Sequence, residues 1–289
     1  MPGTVLGVIG GSGTYRFPEL EDVTERVVET PYGAPSSPLL SGRIGEQEVH
    51  FLTRHGTGHR LNPSEVPYRA NIWALKAAGV TRLVAVSAVG SLVEEVVPGH
   101  LIVPAQIIDR TKGIRASTFF EGGVVAHVAF GDPYCPDLRA RVVTAATVAG
   151  ATVHSGGTLV CMEGPAFSTR AESNLYRAWG GTLVGMTAVP EAKLAREAGI
   201  CYATLALATD YDCWHESEDA VTVEAVLEVM KRNAIAARAA VVTLCLDLEA
   251  ARPDCDCQAA PQAALITPSD QISIEARERL GPILGLTME

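Results

Sequence analysis

The sequence predicts an α/β fold in which a mixed, largely parallel central β-sheet is flanked by helices. Short apolar runs, such as residues 5–9, 83–86 and 200–208, alternate along the chain with segments of helical periodicity. Apolar runs bounded by glycine or polar residues are typical of strands buried on both faces. Their alternation with helices is typical of a parallel or mixed sheet. Hydrophobic residues make up 47% of the chain and charged residues 19%, which is enough apolar material for a large core.

The individual elements follow from apolar spacing and from the residues that end each run. Strands are predicted at residues 5–9, 49–52, 83–86, 101–108, 158–162, 183–186 and 200–208. Helices are predicted at residues 64–76, 137–150, 190–198 and 223–248, with a further one starting at Thr169. Ser64 and Asp137 have the positions of helix N-caps. Thr169 and Glu172 have capping-box spacing, and Pro104 is predicted at a bulge or a sheet edge.

Composition and charge narrow the classes of partner. The formal net charge of −10 disfavours nucleic acids and anionic membranes, because both require a basic surface. We find no signal-peptide pattern and no apolar segment of membrane-spanning length, so a cytoplasmic protein is expected. Five of the seven cysteines are scattered through apolar or turn segments, as expected for reduced thiols. Residues 1–250 are predicted to form one domain, and residues 251–289 an extension that packs on it or is partly flexible.

Glycine and serine follow the first predicted strand, at residues 10–13 (Gly-Gly-Ser-Gly). Glycines let backbone N–H groups close on an anion, and the hydroxyl of Ser12 adds a donor. A dinucleotide fingerprint would need glycine where Arg16 stands, and a P-loop would need lysine where Thr14 stands. The segment therefore indicates either a generic phosphate loop or a tight exit from the strand.

Polar residues also follow later strands. Ser87 and Thr187 can each donate to an anion or simply belong to a turn. Arg54 is suited to clamp an anion through two N–H groups or to form a surface ion pair. The two histidines of residues 54–60 are four apart, a spacing that places both on one face only in a helix. The glycines between and beside them disfavour a helix, so no metal site is predicted there.

Two acids follow the most apolar predicted strand, in the stretch Thr-Asp-Tyr-Asp-Cys-Trp at residues 209–214. Ligands of open α/β sheets bind at the carboxyl ends of strands, so Asp210 and Asp212 are candidates for substrate contact. A helix cap or a solvated turn is the alternative. Phe167 is either a hydrophobic staple or a platform for a flat ligand. Together with the hydroxyl residues and Arg54, these residues indicate an enzyme that handles phosphate and a heterocycle.

Several motifs together resemble one known family. They are residues 10–13 (GGSG), 54–56 (RHG), 71–76 (NIWALK), 163–165 (EGP), 167–173 (FSTRAES), 186–187 (MT), 189–191 (VPE) and 209–214 (TDYDCW). Over roughly residues 5–249 the chain is similar to the 5′-methylthioadenosine phosphorylases of the trimeric purine nucleoside phosphorylase family. The resemblance implies a nucleoside phosphorylase-like fold, and phosphorolysis to adenine and 5-methylthioribose 1-phosphate. It implies no cofactor or metal, inorganic phosphate as co-substrate, and a homotrimer or a dimer of trimers.

The resemblance also implies roles for individual residues. Phosphate would be bound by Ser12, Arg54, His55, Ser87 and Thr187. The nucleoside would be bound by Ala88, Phe167, Ser168, Met186, Val223, Val226, Leu227 and His127. Of these, Val223, Val226 and Leu227 would face the 5′-alkylthio group. His127, which by sequence context is a packed histidine, would reach the pocket of a neighbouring subunit.

The acid pair is expected to carry both catalysis and specificity. A carboxylic acid whose pKa is raised by burial can donate a proton to purine N7, and we assign this role to Asp210. Asp212 would accept from the adenine amino group or brace Asp210. Relatives that use 6-oxopurines typically have Asn at the Asp210 position and Glu near Ser168; this chain has neither, which favours 6-aminopurines. The alternatives are a 5′-methylthioinosine or other 6-oxopurine phosphorylase, a broad 6-aminopurine phosphorylase, and a non-catalytic binding protein.

Two features remain open at the level of sequence. Ala166 stands where the family usually has Arg, and the expected consequence is a looser base loop with activity retained. Cys255 and Cys257 resemble a pair that is a stability feature in some bacterial and archaeal members. The pair could form a local disulfide, supply half of a metal site or remain as two reduced thiols without a function. Metal is the least favoured of these, because no third and fourth ligand is evident.

Overall fold

The computed structural model describes residues 4–11, 17–215, 223–248 and 254–285, with only the backbone described for residues 223–227. Within these ranges it has eleven strands and seven α-helices. The strands are β1 Leu6–Gly10, β2 Glu21–Arg26, β3 Leu39–Ile44, β4 Gln47–Thr53, β5 Arg82–Ser91, β6 Leu101–Val103, β7 Gln106–Arg110, β8 Val153–Ser155, β9 Thr158–Met162, β10 Leu183–Gly185 and β11 Cys201–Asp210. The helices are α1 Tyr68–Ala77, α2 Pro136–Val148, α3 Arg170–Ala178, α4 Ala188–Glu197, α5 Val223–Leu248, α6 Ala260–Ala264 and α7 Ile274–Leu284.

The strands form one mixed sheet, as the sequence predicts, and β5 lies at its centre. β1 and β11 pair with β5 in parallel, one on each side, and β4 pairs in parallel with β1. β10 pairs antiparallel with the last residues of β5, and β3 pairs antiparallel with β4. Because β1, β4, β5 and β11 run in the same direction, their carboxyl ends meet at one edge of the sheet.

Both faces of the central strands are buried, which explains their nearly continuous apolar sequences. Along β5, Val84 and Val86 belong to a hydrophobic cluster that includes residues of α2 and α5. The intervening Leu83 and Ala85 belong to a second cluster that includes residues of α1, α4 and α7. The helices therefore cover both faces of the sheet.

Two predicted helix starts are wrong, and both errors have a local physical cause. Ser64 does not cap α1; its hydroxyl donates instead to the carboxylate of Glu163. The helix begins later, at Tyr68, behind Pro67. The N-cap of α2 is Cys135 and not Asp137, because Pro136 occupies the first helical position and the Cys135 sulfur accepts from the N–H of Leu138.

The strand predicted at residues 101–108 is two strands, β6 and β7, which separate at Pro104. Proline has no N–H for the sheet ladder, and here it ends one strand and does not merely bulge it. The predicted capping box of α3 is confirmed, since the side chains of Thr169 and Glu172 each bond to the other's backbone N–H. Among the described helices, none combines the length and the apolar composition needed to cross a lipid bilayer.

Candidate active site

A cavity of about 520 Å³ opens at the edge of the sheet where the parallel strands end. It is lined by most of the residues proposed from sequence: Arg54, His55, Ser87, Ala88, Phe167, Met186, Thr187, Asp210 and Asp212. These residues come from five separate stretches of the chain. The mixed sheet brings them together. Arg54 follows β4 and Asp210 ends β11, two strands whose carboxyl ends lie at the same edge. Ser87 and Ala88 lie in the second half of β5, and Thr187 follows β10, which pairs antiparallel with the last residues of β5.

The remaining proposed residues lie elsewhere or outside the described part of the chain. Ser12 and the side chains of Val223, Val226 and Leu227 fall outside the described residues. Ser168 is buried next to the cavity and donates to the sulfur of Met162. The packed-histidine interpretation of His127 is wrong, because this residue is exposed and away from the cavity of its own chain.

Two hydroxyl groups meet at one side of the cavity. Ser87, in the second half of β5, and Thr187, which precedes α4, have their side-chain oxygens 3.1 Å apart. Thr187 has the N-cap position of α4 but makes no capping hydrogen bond with its side chain. The two hydroxyls are therefore paired with each other and can turn their O–H groups toward an anion.

Arg54 is buried beside these hydroxyls and forms an ion pair, but it is not the surface pair considered from sequence. Its Nε and Nη2 donate to the two carboxylate oxygens of Glu191, at 2.8 and 3.0 Å, and both side chains are 1% exposed. Burial alone lowers the pKa of Arg54, but the Glu191 carboxylate more than offsets this and raises it. Nη1 donates to the carbonyl of Val86. Two N–H groups of Arg54 thus bind a protein carboxylate and not a ligand anion, and this ion pair fixes the guanidinium against the cavity wall.

His55 is held as a neutral ring. Its Nδ1 lies 2.8 Å from the carbonyl oxygen of Leu61, which can only accept, so Nδ1 carries the proton. Burial, reinforced by the charge of Arg54, lowers the pKa of His55 to about 4. Its ring stacks on His59 with centroids 4.4 Å apart. At neutral pH the other nitrogen, Nε2, is therefore a hydrogen-bond acceptor.

Asp210 is the last residue of β11 and is oriented by its neighbours. Its Oδ2 accepts from the hydroxyl of Thr209 at 2.7 Å, and its Oδ1 accepts from the backbone N–H of Asp212 at 2.8 Å. A β-bulge between Ala208 and Asp210 turns this carboxylate toward the neighbouring strand. There, a Cβ atom on Gly90 would lie only 3.0 Å from Asp210 Oδ1. Glycine at position 90 thus makes room for the acid.

Asp212 differs from Asp210 in its environment. Its backbone has φ 51°, in the left-handed region that only glycine, Asn and Asp adopt with ease. The residue is 9% exposed, and its Oδ2 is buried with no hydrogen-bond partner among the described residues. Burial raises the pKa of Asp212. A buried unpaired acceptor that lines a cavity costs about 1–3 kcal/mol, and a ligand N–H can relieve that cost.

Phe167 stands at the mouth of the cavity and is 52% exposed. A hydrophobic staple would bury this ring against the first turns of α3, so the structure favours the platform interpretation. Ala166, beside it, is also exposed. The loop before α3 therefore presents an uncovered aromatic face to the cavity.

Two contributors to the site were missed from sequence. Arg115 lies in the aperiodic segment 111–136, and its Nη1 donates to the carbonyls of Met186 and Val189 at 2.6 and 2.9 Å. Its Nε donates to Glu163 at 2.8 Å. Arg115 thus braces the segment that carries Thr187, and no local pattern marks it. Met230 of α5 also lines the cavity. In the sequence it falls on the same apolar helical stripe as residues 223, 226 and 227, and that stripe is the signal that could have identified it.

Comparison with known proteins shows the family of this chain. The family model of the phosphorylase superfamily matches residues 5–245. S-methyl-5′-thioadenosine phosphorylase of Geobacter sulfurreducens is 56% identical over 281 residues, which cover 97% of this chain and 98% of the relative. The enzyme of the same name from Chloroflexus aurantiacus is 54% identical over 287 residues, covering 99% of both chains.

Solved structures give the same result. A methylthioadenosine phosphorylase from an Antarctic soil metagenomic library superposes with a TM-score of 0.93 at 46% identity, covering 98% of this chain and 99% of that one. Methylthioadenosine phosphorylase from Schistosoma mansoni, in complex with adenine, has a TM-score of 0.85 at 36% identity, covering 91% and 99%. By sequence and by fold, this chain belongs to the phosphorylase superfamily and, within it, to the S-methyl-5′-thioadenosine phosphorylases.

Proposed function

We propose that this chain catalyses the phosphorolysis of 5′-methylthioadenosine to adenine and 5-methylthioribose 1-phosphate. The observation that carries the proposal is that one cavity is lined both by a hydroxyl pair suited to an anion and by two acids suited to a base. The relatives that share about half of the sequence carry the name of this activity. The related enzyme from S. mansoni was solved with adenine bound.

Phosphate binds beside the hydroxyl pair. The hydroxyls of Ser87 and Thr187 donate to its oxygens, and the Arg54 guanidinium supplies positive charge from the cavity wall. His55 accepts, through the lone pair of Nε2, from the remaining O–H of a monoprotonated phosphate. By resemblance to the family, Ser12 adds a further hydroxyl donor. A neutral His55 thus selects the protonation state of phosphate that leaves its other oxygens free to attack.

The reaction exchanges two bonds at the ribose C1′. A phosphate oxygen forms a bond to C1′ as the bond from C1′ to purine N9 breaks, and the electron pair of that bond passes into the purine ring. Positive charge on the ribosyl ring is stabilised by the phosphate, and negative charge on the base by a proton donor. Asp210 is that donor, to N7, and Met186 and Ala88 contact the ribose.

Asp212 discriminates between an amino and an oxo substituent at C6 of the purine. Its buried, unpaired Oδ2 accepts from the 6-amino group of adenine, which removes the cost of leaving it unpaired. A 6-oxopurine offers an acceptor at the same position and leaves the carboxylate oxygen unpaired. Phe167 covers one face of the base, with Ser168 at its border. The 5′-methylthio group lies against Met230, and the resemblance to the family assigns Val223, Val226 and Leu227 to the same group.

Assembly and cellular context are part of the same proposal. His127 is exposed in the single chain, and we assign it to the 5′ end of the pocket of a neighbouring subunit in a homotrimer or a dimer of trimers. Catalysis needs no cofactor beyond inorganic phosphate as co-substrate. We expect a cytoplasmic enzyme of purine and methionine salvage that binds neither nucleic acid nor membrane.

The test is phosphate-dependent release of free base from methylthioadenosine, methylthioinosine, adenosine and inosine, compared by kcat/KM. The expected result is a preference for methylthioadenosine and no release without phosphate. A preference for the two inosine compounds would overturn the role of Asp212 and indicate a 6-oxopurine phosphorylase. Similar values for adenosine and methylthioadenosine would indicate a broad 6-aminopurine phosphorylase. No release from any nucleoside in the presence of phosphate would indicate a binding protein.

A further inference from the structure

Four cysteines that are distant in sequence come together on the side of the sheet opposite to the active site. Cys135 precedes α2, Cys201 begins β11, and Cys255 and Cys257 follow α5. Their Sγ atoms all lie within 4.8 Å of one another. The sequence argument against metal, that no third and fourth ligand accompany the Cys-x-Cys pair, is therefore wrong: the fold supplies both.

The separations between the sulfurs suit a shared metal ion. Four thiolates at Zn–S distances of about 2.3 Å, arranged as a tetrahedron, have sulfurs about 3.8 Å apart. Here the Sγ atoms of Cys201 and Cys255 are 3.4 Å apart, and no pair among the four is separated by more than 4.8 Å. A disulfide needs an S–S distance of about 2.05 Å, and none of the seven cysteines, all of which lie within the described residues, is in a disulfide.

The surroundings of the four sulfurs favour thiolates. Cys135 is the N-cap of α2, and its sulfur accepts from the N–H of Leu138 at 3.5 Å, at the positive end of the helix dipole. The guanidinium of Arg196 lies 3.8 Å from the sulfur of Cys257. Both donors stabilise negative charge on sulfur, as the hydrogen-bond partners of metal ligands do. Cys135, Cys201 and Cys257 are buried, so thiolates there require a cation.

We propose that these four cysteines bind one Zn²⁺ ion as a closed structural site. Soft thiolates in a tetrahedral set select zinc over harder cations. Four protein ligands leave no open position, so the metal does no chemistry. Asp210 lies nine residues beyond Cys201 on the same strand, which is about 30 Å away at about 3.3 Å per residue. The ion instead ties the chain after α5 to α2 and to the central sheet.

The first experiment measures metal and thiols on the same wild-type sample. The protein is purified without reductant or chelator from zinc-supplemented cells, its metals are measured by plasma mass spectrometry, and thiols are counted in denaturant. The expected result is about one zinc per chain and all seven thiols reactive. Fewer reactive thiols without metal would mean disulfides and would overturn the proposal. Iron in place of zinc, or a fully reduced protein that takes up no added zinc, would also overturn it.

Variants then localise the ion. Cys257→Ser should lose the zinc and lower Tm by at least about 5 °C, while kcat/KM at 25 °C stays within about twofold because the active site is distant. A strong chelator should lower Tm of the wild type but not of this variant. Cys245→Ala is the matched control, since Cys245 is 0% exposed and in the same hydrophobic cluster but outside the group of four. Zinc retained by Cys257→Ser, or lost by Cys245→Ala, would refute the assignment.

A spectroscopic measurement keeps the proposal testable if Cys257→Ser fails to fold. Reduced, metal-free wild-type protein is titrated with Co²⁺. Four thiolate ligands should produce the intense sulfur-to-cobalt charge-transfer and visible d–d bands of a tetrahedral tetrathiolate, and one equivalent of Zn²⁺ should abolish them. Only the weak visible absorption of octahedral Co²⁺, without sulfur-to-cobalt charge transfer, would refute the site.

Discussion

Replacing Asp210 by Asn separates proton donation from structure, because the surrounding hydrogen bonds can adapt. The Asn side-chain oxygen can keep the bond from the backbone N–H of Asp212 that Asp210 Oδ1 now accepts at 2.8 Å. Its NH₂ group then faces the hydroxyl of Thr209, which can accept while it donates to the carbonyl of Val89, already 3.2 Å away. The substitution therefore leaves no buried group without a partner, and Tm should change by less than about 2 °C.

The chemical effect should be large. An amide cannot transfer a proton to N7, and general acid catalysis contributes about 10²–10⁴ in rate, or about 3–5 kcal/mol of barrier. We therefore expect kcat/KM for methylthioadenosine to fall by about that factor in Asp210→Asn. The loss in kcat/KM for methylthioinosine should be smaller. Its 6-oxopurine base departs more readily as an anion than adenine does, and an Asn N–H can still donate a hydrogen bond to N7 of that base. The ratio of the two kcat/KM values should move toward methylthioinosine by at least about tenfold.

The assay is initial-rate base release at saturating phosphate for both nucleosides, with Tm measured on the same preparations. Asp132→Asn, at an exposed position outside the cavity, is the matched control and should leave both rates unchanged. Unchanged kinetics of Asp210→Asn on methylthioadenosine would remove Asp210 from the mechanism. An equal loss on both nucleosides would show that Asp210 does not take part in discrimination between the bases.

Three further substitutions or conditions test other parts of the site. Gly90→Ala should lower kcat/KM about tenfold with little change in Tm. The new Cβ would lie 3.0 Å from Oδ1 of Asp210 and would displace that carboxylate by a few tenths of an ångström. An unchanged rate would mean that the position of the acids is not critical. Burial raises the pKa of Asp212, so the fraction of this residue that is protonated and can donate a hydrogen bond grows as pH falls. The kcat/KM ratio of methylthioinosine to methylthioadenosine should therefore rise as the pH is lowered from 8 to 5. Asp212→Asn should abolish that trend, and a ratio that does not change with pH in the wild type would contradict the role of Asp212. Glu191→Ala leaves Arg54 buried without its counter-ion, which costs about 3–5 kcal/mol and should lower Tm on the order of 10 °C. The more exposed ion pair between Glu121 and Arg69 contributes about 1 kcal/mol or less. Glu121→Ala should therefore lower Tm far less than Glu191→Ala does, and equal decreases in Tm would refute the argument from the buried ion pair.

The sequence by itself determined the fold class and the edge of the sheet at which the site lies. Strands buried on both faces need nearly continuous apolar runs, and a capping box needs Thr169 and Glu172 three residues apart, so both can be predicted from local pattern. The placement of acids and hydroxyls at strand ends is also local. Ser87, Thr187 and Asp210 all line the cavity. The parallel pairing of β5 and β11 accounts for Ser87 and Asp210, whereas Thr187 arrives from β10, which pairs antiparallel with β5.

Only the tertiary structure decided which partner each of these groups has. Arg54 pairs with Glu191, 137 residues away, and not with a surface acid. Arg115 braces the segment before α4 from a stretch without periodicity. Such pairings depend on how distant segments close on one another, and no spacing rule in the chain encodes that closure.

The unpaired oxygen of Asp212 and the four-cysteine cluster have the same origin. The packing around a carboxylate decides whether it has a hydrogen-bond donor. In Asp212 that packing buries the carboxylate, which raises its pKa and leaves Oδ2 available to a ligand N–H. Cys255 and Cys257 were visible as a pair, but Cys135 and Cys201 become their neighbours only when α2 and β11 lie side by side. Local chemistry can be predicted from sequence, because it depends on spacing along the chain. The charge state and ligand preference of a site are decided in three dimensions, because they depend on what surrounds each group.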